Sequence, residues 1–166
     1  MLIRPETATD PALIHALTAR AFAGAPHSDG SEPRIVDALC AGGAMTLSLV
    51  AEHGGTLLGH VAVSPVSIND GTPGWQGLGP ISVEPDRQGT GIGSALMQSA
   101  LAALRAAGAA GCVVLGEPAY YERFGFTRDH HLVYPGPPAE YFMAIAFGSS
   151  RPRDEVHYHA AFSGEA

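Results

Sequence analysis

The chain has 166 residues, 46% hydrophobic and 15% charged, which suits one globular domain over residues 1–166 and leaves no polar tract for extended disorder. A net charge of -7 argues against a nucleic-acid partner, because neutralising phosphates takes clustered positive charge. All nine basic residues are arginines, which removes lysine Schiff-base chemistry and the P-loop, whose own lysine binds the phosphates.

The opening from Met1 to Asp10 carries charges where a secretory leader needs an apolar stretch, and Arg105 with its neighbouring glycines breaks the most apolar later region. A cytoplasmic protein with no membrane segment is expected. Cys40 and Cys112 sit in apolar contexts without C-x-x-C spacing, so both are expected as buried free thiols.

In chain order, Leu2 to Arg4 reads as a short strand. Asp10-Pro11 supplies an N-cap and an N1 proline for a helix with Leu13, Ile14 and Leu17 on one face. Ser31 and Pro33 open a second helix, apolar at Ile35, Val36 and Leu39 and closed by Gly42-Gly43. Thr46 to Glu52, Leu57 to Val66 and Trp75 to Glu84 read as an antiparallel meander, the first two joined by His53-Gly54-Gly55. Gly91 to Ala107 spaces Ile92, Leu96, Ala100, Ala103, Leu104 and Ala107 as a helix, with Gly108 to end it. Cys112 to Leu115 suits a buried strand, which makes Ile81 to Leu115 a parallel crossover. Pro118 to Arg123 predicts a short helix ended by Gly125. Tyr141 to Phe147 predicts the last long strand, paired with a weaker one at Leu132 to Tyr134, and Ser149 to Ala166 carries little pattern.

Arg87-Gln88-Gly89-Thr90-Gly91-Ile92-Gly93 lies between a strand and the best helix. Residues without Cβ let backbone amides approach an anion, and a first helical turn offers unpaired N–H groups at its positive end, so a phosphate suits this loop. Gly89 and Gly91 also fit the first two glycines of a dinucleotide-binding fingerprint, but Ser94 stands at the third, and a meander before the loop disfavours that fold.

Gln88 to Gly93 fits the Q/R-x-x-G-x-G/A pyrophosphate motif, preceded by Ile81-Ser82-Val83-Glu84-Pro85, and so resembles the GNAT acetyltransferases. The run Val113 to Phe126, ending Tyr121-Glu122-Arg123-Phe124-Gly125-Phe126, looks like that family's fifth strand and fourth helix; with Tyr141-Phe142-Met143-Ala144 it is similar to the YhbS-like bacterial subgroup. The resemblance covers most of the chain and is weakest from Gly24 to Asp29 and after Gly148.

It implies an α+β (α/β) GNAT fold: a mixed sheet of about seven strands, splayed between the fourth and fifth, with about four helices. It implies acetyl-CoA as co-substrate, acetyl transfer to a primary amine by direct attack on the thioester, and no metal. The pantetheine arm is expected against Ile81, Ser82 and Val83, and the pyrophosphate against Gln88, Gly89, Thr90, Gly91, Ile92, Gly93 and Ser94. Gly79-Pro80 fits a bulge that would open the splay. Tyr121 matches the tyrosine that serves the leaving sulfur, with Tyr120 its rival, and Glu117 is the first candidate for the general base, ahead of Glu84 and His60. The H-x-H pair His157 and His159 and the adjacent His130 and His131 lack a carboxylate or cysteine framework for a metal. A non-catalytic acyl-CoA sensor is the alternative function, Tyr121 favouring the enzyme, and the sequence leaves a homodimer open.

Overall fold

The computed structural model describes residues 1–26 and 28–164. Residue 27, within the weakly matching connection between the first two helices, and residues 165 and 166, at the end of the low-pattern stretch, lie outside the described residues.

Six strands form the main sheet in the order β1 (Leu2–Pro5), β2 (Leu47–His53), β3 (Thr56–Pro65), β5 (Trp75–Val83), β6 (Gly111–Leu115), β8 (Phe142–Ala146). All neighbours are antiparallel except β5 and β6. Side-chain alternation assigns the two faces. Leu49 and Ala51 join Val61, Val63 and the inner face of α3 (Ile92–Ala106) in the largest cluster, while Val50, between them, packs with Ile14 and Leu17 of α1 (Pro11–Phe22) and Val36 of α2 (Glu32–Ala41). Pro11 and Gly43 bound the two early helices as their sequence signals require.

The structure differs from the expected strand pairing near the C-terminus. β8 does not pair with β7 (His131–Val133). It pairs with β6 over its whole length, from Gly111↔Ala146 to Leu115↔Phe142. β7 instead joins β4 (Ser67–Ile68) and β9 (Arg153–His157) in a separate three-stranded sheet, so the low-pattern tail supplies that sheet's central strand. Burial explains the choice: Leu132, Ile68 and Val156 point into one cluster with Trp75, Val113 and Phe142, which a small sheet laid over β5, β6 and β8 can fill. The count of about seven strands in one sheet becomes six and three.

A second difference concerns the cysteines. Cys112 is buried as expected, but Cys40 is exposed, because α2 turns Ile35, Val36 and Leu39 inward and Cys40 falls on the outer side, where its thiol donates to Glu6 Oε2 at 3.7 Å. No helix among the described residues is long and apolar enough to cross a membrane.

Candidate active site

The site begins where two parallel strands part. β5 and β6 pair only from Trp75↔Gly111 to Gly77↔Val113, although β5 runs on to Val83 and β6 to Leu115. A register shift against β3 falls at the same place: Val61 faces Ile81 and Val63 faces Leu78, so Gly79 and Pro80 together oppose Ala62. This is the bulge Gly79-Pro80 suggested, and it bends β5 away from β6.

Past the bulge one edge of β5 lacks a partner strand. Glu84 N–H donates to Leu58 O of β3 at 2.8 Å, and successive strand amides alternate sides, so the N–H groups of Val83 and Ile81 face the open edge while that of Ser82 faces β3. The Val83 carbonyl agrees: it accepts from Gln88 Nε2 at 3.2 Å on that open side. Ser82 is buried opposite His60, and its hydroxyl has no hydrogen-bond partner.

After a 3-10 turn at Pro85–Arg87 the chain enters α3. Gly91, at φ 94°, caps the helix in the left-handed region, where a Cβ would be strained although space is open around it. The first intrahelical bond is Ala95 N–H to Gly91 O at 3.0 Å, so the amides of Ile92, Gly93 and Ser94 have no acceptor within the helix. Ile92 offers only its backbone there, since its side chain is in the core. Gly89 and Thr90 are exposed, and Thr90 Oγ1 donates to Arg87 O at 2.5 Å, which closes the turn. Arg123, quoted above only as part of a signature, lies 4.7 Å over the Tyr120 ring and reaches Ser94 Oγ at 3.4 Å. It adds a positive charge beside the free amides.

The two tyrosines of α4 (Pro118–Tyr121) diverge. Tyr120 directs its hydroxyl at Gly93, where a Cβ would stand 2.9 Å away. Tyr121 is buried, packs edge-on to Tyr120 at 5.0 Å, and lines a cavity at the splay. Burial, with a smaller contribution from Tyr120, pushes the Tyr121 hydroxyl up to about 12.

That cavity, ≈ 380 Å³, lies between α1 and α2 on one side and the C-terminal segment on the other, with Gly79, Pro80 and Ile81 along its floor. Glu32 is the one charged side chain among its described lining residues. Sequence reasoning missed Glu32, Tyr134, Tyr158 and Phe162, because Glu32 reads as part of a helix start, Tyr134 as the end of a weak strand, and Tyr158 and Phe162 fall in a stretch with little pattern.

The remaining candidates lie elsewhere. Glu117 is exposed, heads α4, and is absent from the cavity lining. Glu84 accepts from Arg20 Nε at 3.0 and 3.2 Å, tying α1 to the end of β5. His60 is fully buried, with Nε2 at 2.8 Å from Ser48 Oγ, and burial lowers its pKa to about 4. His130 bonds Phe142 O, His157 bonds Asn69 and His159 caps the terminal turn. Among the described residues no three His, Cys, Asp or Glu gather as a metal would need.

A sequence profile for the Acetyltransferase (GNAT) domain matches residues 46–128. The N-acetyltransferase YhbS of Escherichia coli (strain K12) is 39% identical over 132 residues, 79% of this chain and 76% of that protein. The crystal structure of a GNAT family acetyltransferase from Brucella melitensis in complex with acetyl-CoA is similar at a TM-score of 0.87 and 50% identity, covering 97% of each chain. Escherichia coli YhbS in complex with CoA is similar at a TM-score of 0.89 and 33% identity, covering 98% of this chain and 91% of that one.

Proposed function

The chain belongs to the GNAT family, the acetyl-CoA-dependent N-acetyltransferases, and from that membership we propose that it acetylates a primary amine held in the cavity at the splay. The observation that carries this reading is continuity. The open-edge amides of Ile81 and Val83 lead to the free amides of Ile92, Gly93 and Ser94, and Tyr121 stands across the gap.

The described residues fit acetyl-CoA. An extended arm carrying amide groups can bond the outward N–H groups of Ile81 and Val83 as an added strand would. The pyrophosphate suits the amides from Gln88 to Ser94, where the helix dipole and Arg123 supply positive potential. Ser82 supports this strand from behind, through its N–H toward β3 and its buried side chain.

In the reaction the amine lone pair attacks the thioester carbonyl, the C–S bond breaks, and the products are an N-acetyl amine and the CoA thiol. The Val83 N–H is suited to polarising the carbonyl oxygen. Tyr121 serves the sulfur as an O–H donor. An alkyl thiol is a stronger acid than a phenol pushed up to about 12, so outright transfer leaving a phenolate runs uphill. The buried tyrosine therefore stabilises the thiolate by a hydrogen bond, and the proton that completes the thiol is the one the attacking nitrogen loses as the tetrahedral adduct collapses to the amide. Glu117, at the surface, can receive a proton only through water.

Titration with acetyl-CoA followed by thiol release across an amine panel tests the reading. Saturable binding with amine-dependent release is expected; binding without release from any amine overturns it.

A further inference from the structure

The cavity at the splay has one charge and an aromatic wall. Phe22, Tyr121, Tyr134, Tyr158 and Phe162 supply rings, and Glu32 supplies the carboxylate. Tyr158 holds the wall together, with its ring centroid 5.1 Å from that of Tyr134 and 5.1 Å from that of Phe162. It is seated close on β5, since a Cβ at Gly77 would stand 2.6 Å from its ring. Its hydroxyl is buried, with no hydrogen-bond partner among the described residues. Glu32 Oε1 accepts from Ser28 Oγ at 2.5 Å, which fixes the carboxylate at the start of α2.

From this arrangement we infer that the acceptor is a small molecule with a primary amine on an apolar or aromatic body, and that Glu32 binds its ammonium group. The inference rests on the acetyltransferase reading and names its substrate class. A carboxylate with aromatic faces around it attracts a cation both by charge and through the ring quadrupoles. No basic side chain among the described lining residues would attract an acidic acceptor, and the lining offers few polar groups to a sugar. The volume is that of a small-ligand site.

The test uses the full chain with saturating acetyl-CoA and follows thiol release with phenethylamine, butylamine, glucosamine and an alanine-terminated peptide. Phenethylamine is expected to have the highest kcat/KM, and Glu32→Gln to raise its KM by about tenfold or more with acetyl-CoA affinity unchanged. Phe162→Leu, which keeps an apolar side chain against α2, is expected to raise the KM for phenethylamine more than for butylamine. Preference for glucosamine or the peptide, or a Glu32→Gln protein that binds acetyl-CoA with an unaltered amine KM, overturns the inference while leaving the acetyltransferase reading intact. Absence of release with every amine overturns both, and acetyl-CoA affinity then shows which part of the site survives.

Discussion

Tyr121 lies across the backbone of Gly116: a Cβ built on Gly116 would stand 2.5 Å from the ring's Cε2. Gly116 is the residue after β6, at the mouth of the splay, and α4 begins two residues later. The absent side chain is the seat that lets the phenol reach inward over the end of β6. Position 116 therefore controls a ring five residues further on.

Gly116→Ala is expected to push the ring off its seat and to lower kcat by about tenfold to a hundredfold, since small misplacements of a reacting group carry penalties of that size. Acetyl-CoA affinity should stay within a few-fold, because the loop amides are untouched. Tyr121→Phe removes one donor to the charge developing on sulfur and should lower kcat by about a hundredfold with the same affinity. Thiol-release kinetics beside an acetyl-CoA titration separates the two quantities; normal turnover in Tyr121→Phe removes the assigned role.

Gly91→Val tests the loop by conformation rather than by collision. A Cβ at Gly91 meets nothing within 4 Å, but its φ of 94° is a left-handed geometry that a β-branched residue resists. The variant is expected to fold, lose on the order of 1–2 kcal/mol of stability, and fail to bind CoA. Calorimetric titration reads the binding, and retained affinity would remove the pyrophosphate assignment.

His60 predicts an acid-sensitive fold. Burial lowers its pKa from 6.5 to about 4, so the unfolded chain takes up this proton first as the pH falls. The stabilisation from a neutral His60 is present above pH 6.5 and is lost progressively down to about pH 4, on the order of 3 kcal/mol in all. Asp10, held down to about 2 chiefly by its hydrogen bond with Arg4, keeps its stabilisation above about pH 3.8 and loses it only as the pH falls from there to about 2. Urea unfolding at pH 7 and pH 4.5 should show the loss, and His60→Leu should shrink it.

Gly111→Ala targets the first pair of the short stretch that joins β5 to β6, Trp75↔Gly111. A Cβ there would stand 2.4 Å from the ring of Trp75, the single tryptophan of the chain. The variant should lose roughly 1–3 kcal/mol, as overpacked cores do. Tryptophan fluorescence during urea unfolding reads both the stability and the displaced ring.

The glycine-rich turn that opens α3 was legible because its signal is local. Gly89, Gly91 and Gly93 stand between a strand and a helix, and free N–H groups follow from that junction alone. The two sides of the cavity were not legible. Glu32 reads as an ordinary first-turn acid, and nothing in its neighbours tells that α2 packs beside a splayed sheet. Tyr134, Tyr158 and Phe162 lie in short, weakly patterned segments whose placement depends on β9 entering a second sheet between β4 and β7.

The separation of Tyr120 from Tyr121 is of the same kind. Adjacent residues in one turn have equal standing in sequence, and only the seats at Gly93 and Gly116 send one hydroxyl to the loop and bring the other ring to the cavity. The helices, the meander, the crossover and the glycine-rich turn with its unpaired helix-start amides could be read from the chain, since each is written in residues close together. Only the tertiary structure decided which strand pairs with β6, where the sheet parts, and which carboxylate faces the gap, because those depend on buried contacts between segments tens of residues apart.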